Sequence, residues 1–187
     1  MRIIAGSARR TPLVAPKGQN TRPTADRVKE NLFNILTPHI AGARFLDLFC
    51  GSGAIGIEAL SRGAGEAVFA DSSRDAINAL TANLARAKLS HAARVLPMCA
   101  LAAIPLLCKE GKAFDVIFLD PPYNQGLQAQ ALNALAKSTI LAPGGIVVAE
   151  CDKNEATPEA EPLVIEDIRA YGGTRLLFYS LREAGVN

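Results

Sequence analysis

The residues best suited to chemistry are Asp120-Pro121-Pro122-Tyr123, directly after the apolar run Phe114 to Leu119. Two consecutive prolines fix the backbone and remove two N–H donors, leaving nearby carbonyls without local competition. The Asp120 carboxylate and the Pro121 carbonyl can then accept both hydrogens of one NH₂ group. A nucleobase amine is a poor nucleophile because its lone pair is delocalised into the ring. Two acceptors orient that nitrogen for in-line attack on a methyl carbon, and aligning two bound reactants is worth about 7–11 kcal/mol of barrier. They also stabilise the positive charge that grows on nitrogen during transfer. Asp120 can take the proton afterwards. Tyr123 offers a flat face on which an unpaired or extruded base would stack. In isolation the same four residues also fit a rigid turn after a strand.

A second constellation suits a cofactor. Gly51, Gly53 and Gly56 form G-x-G-x-x-G between an apolar run and a helical pattern, and Asp71 follows 18 residues beyond Gly53. Glycines let the backbone approach a ligand, and a carboxylate at the next strand end can accept ribose hydroxyls. That much fits a dinucleotide as well. Asp47, four residues before Gly51, shifts the balance, because a carboxylate repels a pyrophosphate but suits a sulfonium and an α-amino cation. The pattern therefore favours S-adenosylmethionine, the alternative role for Asp47 being to cap a loop. Phe49, Ser72, Cys99 and Ala100 complete the candidate cofactor set. Cys99 stands where an adenine contact is expected, although a thiol is a weak donor and a plain core role fits it equally.

These motifs need strand ends to carry them, and the hydrophobic pattern supplies them. Strands are expected at 45–48, 67–71, 94–96, 114–119 and 145–150, with helices over 54–62, 74–88 and 127–137 and helical residues after the third strand. Val28, Leu32, Ile35 and Leu36 mark one buried face of a helix that Thr24 would cap. Asp152 to Glu161 reads as an exposed loop, and Gly172-Gly173 joins two last strands, 163–168 and 174–180, as a hairpin. This order predicts a Rossmann-like α/β fold, that of the class I S-adenosylmethionine-dependent methyltransferases. Its mostly parallel seven-stranded sheet ends in an antiparallel C-terminal hairpin edge. Before it comes a short β-hairpin, with a strand at Arg2 to Ala5, a turn at Gly6-Ser7 and an extended piece near Leu13-Val14. The expected organisation is a single domain over 1–187: a basic N-terminal extension (1–22), a helix (23–37) and a catalytic core (44–187).

Bulk properties bound the partners. The chain has 187 residues, 49% hydrophobic and 20% charged, enough for one core without staples. Four scattered cysteines and two histidines support neither a disulfide framework nor a metal site. No apolar run reaches a membrane span and no signal peptide opens the chain, so a cytoplasmic protein is expected; separately, the chain is expected to act as a monomer. Residues 1–30 hold seven basic and two acidic side chains, so the net +2 divides into +5 there and −3 beyond. Such an arm suits a polyanion, and equally a solvated surface segment.

With these residues in view, the sequence resembles the RsmD family of 16S rRNA (guanine-N2)-methyltransferases over nearly its whole length. The carriers are Arg2-Ile3-Ile4-Ala5-Gly6, the segment Arg22 to Phe33, the motif from Asp47 to Leu60 and Asp120 to Tyr123. Ala5 stands where the family commonly has a second glycine, and Cys99 where relatives often carry a more polar residue. The resemblance implies methylation of a guanine N2 (the guanine-966 type) in 16S rRNA of the small ribosomal subunit. It further implies that Arg22 and Thr24 close over the cofactor, and that Arg9 and Arg10, with Arg22 and Arg27, contact RNA. Three rivals remain: DNA adenine-N6 methylation, a nicotinamide-dependent oxidoreductase, and a non-catalytic RNA-binding factor. The first commonly needs an inserted target-reading domain, and the 66 residues between Gly53 and Asp120 are all used by the sheet and its helices. The others leave Asp47 or an intact Asp120-Pro121-Pro122-Tyr123 without a task.

Overall fold

A computed structural model of the chain describes residues 1–16, 23–122 and 125–182, the side chains of 23–25 apart. Helix α1 (Pro23–Leu36) leads through a 3₁₀ turn (Thr37–His39) to β1 (Arg44–Leu48). Then follow α2 (Ala54–Ser61), β2 (Glu66–Ala70), α3 (Arg74–Ala87), β3 (Ala93–Leu96), α4 (Ala100–Lys109) and β4 (Phe114–Leu119). The chain ends with α5 (Leu127–Ala136), β5 (Leu141–Asp152), β6 (Leu163–Tyr171) and β7 (Thr174–Leu181).

The strands form one sheet in the order β3-β2-β1-β4-β5-β7-β6. Strands β1 to β5 pair in parallel, while β7 pairs antiparallel with both β5 and β6. This is the Rossmann-like methyltransferase architecture that the alternating pattern predicts. Apolar residues on both sides of the central strands bury two cores. Phe45, Phe69, Phe118 and Val148 face α1, α2 and α3, whereas Leu46, Val68, Ile117 and Val147 face α4 and α5. The chain leaves β1 toward β2 on one side and returns to β4 on the other. The C-terminal ends of β1 and β4 therefore flank the switch point, where open α/β sheets bind ligands.

Two expectations change. Strand β5 begins at Leu141, earlier than the pattern suggests, because Phe114 pairs with Leu141 while Val116 pairs with Ile146. That register shift absorbs Pro143-Gly144-Gly145. The N-terminal hairpin shrinks to one bridge, Arg2 with Pro12, supported by bonds such as Ile3 N–H to Thr11 O at 3.0 Å and Leu13 N–H to Met1 O at 3.0 Å. Its ladder stops because the Ile4 and Ala5 N–H groups donate to the Glu58 carboxylate instead, at 2.8 and 3.0 Å.

Helix α2 sits close on β2 because Gly56 has no side chain. A Cβ there would lie 2.3 Å from the Phe69 ring, far inside contact distance. Gly56→Ala is expected to destabilise the fold by about 1–3 kcal/mol through overpacking, read as a lower urea midpoint with an unchanged m-value.

Candidate active site

A cleft of about 1440 Å³ opens at the C-terminal ends of the parallel strands. That exceeds the usual size of a small-molecule pocket and leaves room for a cofactor and a second reactant. Of the residues singled out above, Asp47, Phe49, Gly51, Asp71, Ser72, Cys99, Ala100, Asp120, Pro121 and Pro122 all line it. Gly53 does not. It is buried at the α2 N-cap with φ +76°, and a Cβ there would meet Leu80 at 2.3 Å, so the turn and its packing require glycine at this position. Arg22 and Tyr123 lie outside the described residues; Thr24 belongs to α1, its side chain undescribed.

The turn after β1 is held by carboxylates. Asp47 is 2% exposed, and its Oδ2 accepts the Gly56 N–H at 2.9 Å, capping the first turn of α2. The capping role and a place in the cleft thus coexist in one side chain. Burial, opposed by the Gly56 bond and reinforced by the charge of Asp71, pushes the Asp47 carboxyl up to about 7. Asp71 accepts the Gly51 N–H through Oδ2 and the Ser73 N–H through Oδ1, both at 2.8 Å, which draws the ends of β1 and β2 together. Gly51 takes φ +54° with open space where a Cβ would point, so its backbone can meet a ligand. Phe49 also takes a positive φ, 62°, a costly conformation for a non-glycine residue and one found at functional turns. Cys99, the N-cap residue of α4, is exposed beside the cleft rather than packed in the core.

Strand registry brings the second motif to the first. Asp47 pairs with Phe118, and Leu119 with Ala149, so Asp120 and Glu150 stand side by side one step beyond. Because side chains alternate, Asp47, Asp120 and Glu150 share the sheet face that packs against α1 and α2. Asp120 keeps contact with solvent through the cleft, yet protein surrounds it on the other sides. Its carboxyl is held well above the usual carboxylate range, first by burial and then by the charges of Glu150 and Asp47. Glu150 belongs to no motif in the sequence. Its only signal is a carboxylate at the end of a parallel strand, the position that Asp47, Asp71 and Asp120 also mark.

The charge of the cleft decides what it can hold. Asp47, Asp71, Asp75, Asp120, Glu150 and Asp152 line it, and Lys29 is the basic side chain among its described residues. Lys29 is itself buried and engaged, with Nζ 3.4 Å from Glu58 Oε2 and 2.6 Å from the Arg2 carbonyl. It therefore adds nothing to the basic surface that the arm's charge suggests. An acidic cleft of this kind suits a cation and hydrogen-bond donors and opposes a pyrophosphate.

The N-terminal segment backs the cleft. Met1 and Pro16 border it, whereas the turn between them docks on Ser61, at the far end of α2. Arg9 and Arg10 are exposed on that turn, about 12 Å along α2 from the glycine loop by helical rise, and Arg27 is exposed on α1. Fully buried Asn83 ties the segment to the loop: its Oδ1 accepts the Val14 N–H at 2.7 Å, and its amide donates to the Val14 and Ser52 carbonyls, each at 2.9 Å.

The sequence profile of the family described as "Conserved hypothetical protein 95" matches residues 1–180. The chain is 39% identical over 183 residues to YlbH of Bacillus subtilis (strain 168), covering 97% of this chain and 100% of that one. It is 38% identical over 158 residues to the ribosomal RNA small subunit methyltransferase D of Escherichia coli (strain K12), covering 84% of this chain and 78% of that one. The solved structure of the Escherichia coli protein yhhF superposes with a TM-score of 0.86 at 35% identity, covering 99% of each chain. Fold, cleft and whole-chain similarity agree, and the chain belongs to the Conserved hypothetical protein 95 family, that of the small-subunit ribosomal RNA methyltransferases D.

Proposed function

We propose that this protein transfers a methyl group from S-adenosylmethionine to the exocyclic N2 of a guanine in 16S ribosomal RNA, on the small ribosomal subunit. The observation that carries this reading is the meeting of Asp47 and Asp120 in one acidic cleft at the switch point. The bound cofactor supplies an electrophilic methyl group on a sulfonium. Asp47 offers its carboxylate to the α-amino cation, Asp71 to the ribose hydroxyls, and Gly51 leaves room for the ligand. Asp120 and the Pro121 carbonyl accept the two hydrogens of the target amine and hold it for in-line attack. The relatives' activity on ribosomal RNA supports the substrate class, and the acidic cleft speaks against a nicotinamide dinucleotide.

The test is methyl transfer from tritiated cofactor to small subunits from cells lacking the protein, with duplex DNA in parallel, followed by nucleoside analysis. Label in N2-methylguanosine of 16S RNA is expected. Label in N6-methyladenine of DNA would overturn the assignment.

The raised Asp47 carboxyl has a signed consequence. Protonation on the acid side removes the anion that the cofactor's ammonium needs. Affinity for S-adenosylhomocysteine, which keeps that ammonium, should therefore weaken as pH falls through about 7. Asp47→Asn should bind on the order of tenfold more weakly and show no such pH dependence by calorimetric titration. Stability moves the other way. A carboxyl raised above its unfolded value favours folding most at acid pH and loses that contribution as pH rises through about 7. Asp47→Asn should therefore be as stable as the parent or a few kcal/mol more stable at about pH 8.

A further inference from the structure

We infer that Glu150 is the residue that selects guanine, by accepting the ring N1–H beside the amine that Asp120 and Pro121 hold. This rests on the proposal that the target is a guanine N2. The placement comes from the sheet: β4 and β5 are parallel neighbours, and the pair after Leu119–Ala149 is Asp120–Glu150. Adjacent strands run about 4.8 Å apart, a spacing that suits two neighbouring positions on the edge of one base. Both residues line the cleft, on the sheet face that also carries Asp47. The strand end beneath Glu150 is braced, since its backbone carbonyl accepts from Gln128 Nε2 at 3.4 Å and Gln128 is 7% exposed.

Base chemistry gives this second carboxylate its meaning. In guanine the exocyclic N2 adjoins N1–H, so the edge presents donors side by side, and two adjacent carboxylates match it. In adenine the amine at N6 adjoins the lone pair of N1, and in cytosine the amine at N4 adjoins the lone pair of N3. A carboxylate facing either lone pair is repelled and left without a donor, and an acceptor stranded in a closed site is strongly disfavoured. Holding Asp120 and Glu150 together costs mutual repulsion before the substrate arrives. Donors from the guanine edge offset that repulsion, and a base that brings acceptors adds to it. Asp120 and Pro121 therefore recognise an amine in general, and Glu150 distinguishes which ring carries it.

The discriminating substrate is 2-aminopurine, which keeps an amine at C2 but has a bare lone pair at N1. Small subunits would be reconstituted with 16S RNA carrying guanine or 2-aminopurine at the one position that the wild-type protein methylates, located first by primer extension. The wild-type protein is expected to prefer guanine in kcat/KM on the order of tenfold to a hundredfold. In Glu150→Gln the amide can donate to N1, so the ratio should fall toward one or invert. Glu150→Ala should lose the preference with a raised KM. Affinity for S-adenosylhomocysteine, unchanged in both variants, separates this effect from damage to the fold. N2-methylguanosine formed by the wild type, with the same guanine preference in all three proteins, would overturn the role of Glu150 alone. N6-methyladenine as the wild-type product would overturn the guanine assignment and this inference together.

Discussion

Asp120→Ala should bind S-adenosylhomocysteine within about twofold of wild type while methyl transfer falls on the order of 10²- to 10³-fold, the usual loss when one preorganised polar group is removed from the reacting centre. The reason lies in what Asp120 touches. Asp47 and Asp71 anchor the glycine loop through Gly56, Gly51 and Ser73, and Asp120 takes no part in those bonds. In the proposed reaction, removing it strips the target amine of one acceptor and of the nearby negative charge, but leaves the loop intact. Asp120→Asn should fall much less, by about tenfold, because an amide oxygen still accepts a hydrogen bond of roughly half the strength. The pH profile separates the two contributions. Burial and the charges of Glu150 and Asp47 raise the Asp120 carboxyl, so the wild-type rate at saturating cofactor should decline on the acid side as Asp120 takes up a proton. The Asn variant should lack that limb. An unchanged acid limb in Asp120→Asn would assign it to another group, and full activity in Asp120→Ala would remove Asp120 from the chemistry.

Glu58→Ala should cost about 3–5 kcal/mol of stability, the range for breaking a buried ion pair from one side. Glu58 lies in α2 with 0% exposure, and its two oxygens serve four donors. Oε2 accepts the Ile4 N–H at 2.8 Å and faces Lys29 Nζ at 3.4 Å; Oε1 accepts the Ala5 N–H at 3.0 Å and Arg62 Nε at 2.8 Å. Arg62 in turn lies over the Phe33 ring of α1, 4.9 Å from its centroid. One carboxylate thus joins the N-terminal segment, α1 and α2. Truncation leaves Lys29 as a buried cation, already disfavoured by desolvation, and strands two N–H groups. Urea unfolding should report the loss, and limited proteolysis should cut within residues 1–16 far faster than in wild type. Glu58→Gln keeps an acceptor and should lose less. Adding Lys29→Met to it should recover part of the deficit, because no charge then remains buried without its counterpart.

The parallel sheet, its C-terminal hairpin and most of the site could be read from residue order, because they follow local rules. Apolar runs of strand length alternate with helical patterns, and a carboxylate or a glycine at a strand end is visible to anyone who can place that end. Asp47, Gly51, Asp71 and Asp120 were legible in this way, and the cleft contains all four. Glu150 was not, since the role proposed for it depends on β5 lying next to β4, and a list of strands does not state which are neighbours. Gly53 reads in sequence as a ligand contact; only the tertiary structure shows that packing against Leu80 also requires glycine there.

Lys29 is the sharpest case. In sequence it adds one charge to a basic arm, and in the folded chain it is buried against Glu58 and the Arg2 carbonyl. The same holds for the hairpin that should follow Arg2: its ladder ends because a carboxylate 54 residues away takes the Ile4 N–H. Hydrophobic periodicity is a property of neighbours in the chain and survives in the sequence alone. The partner of a buried charge or a backbone donor is set by which distant segments share the same few ångströms, and that is known only once the sheet has closed its order and the helices have docked on it.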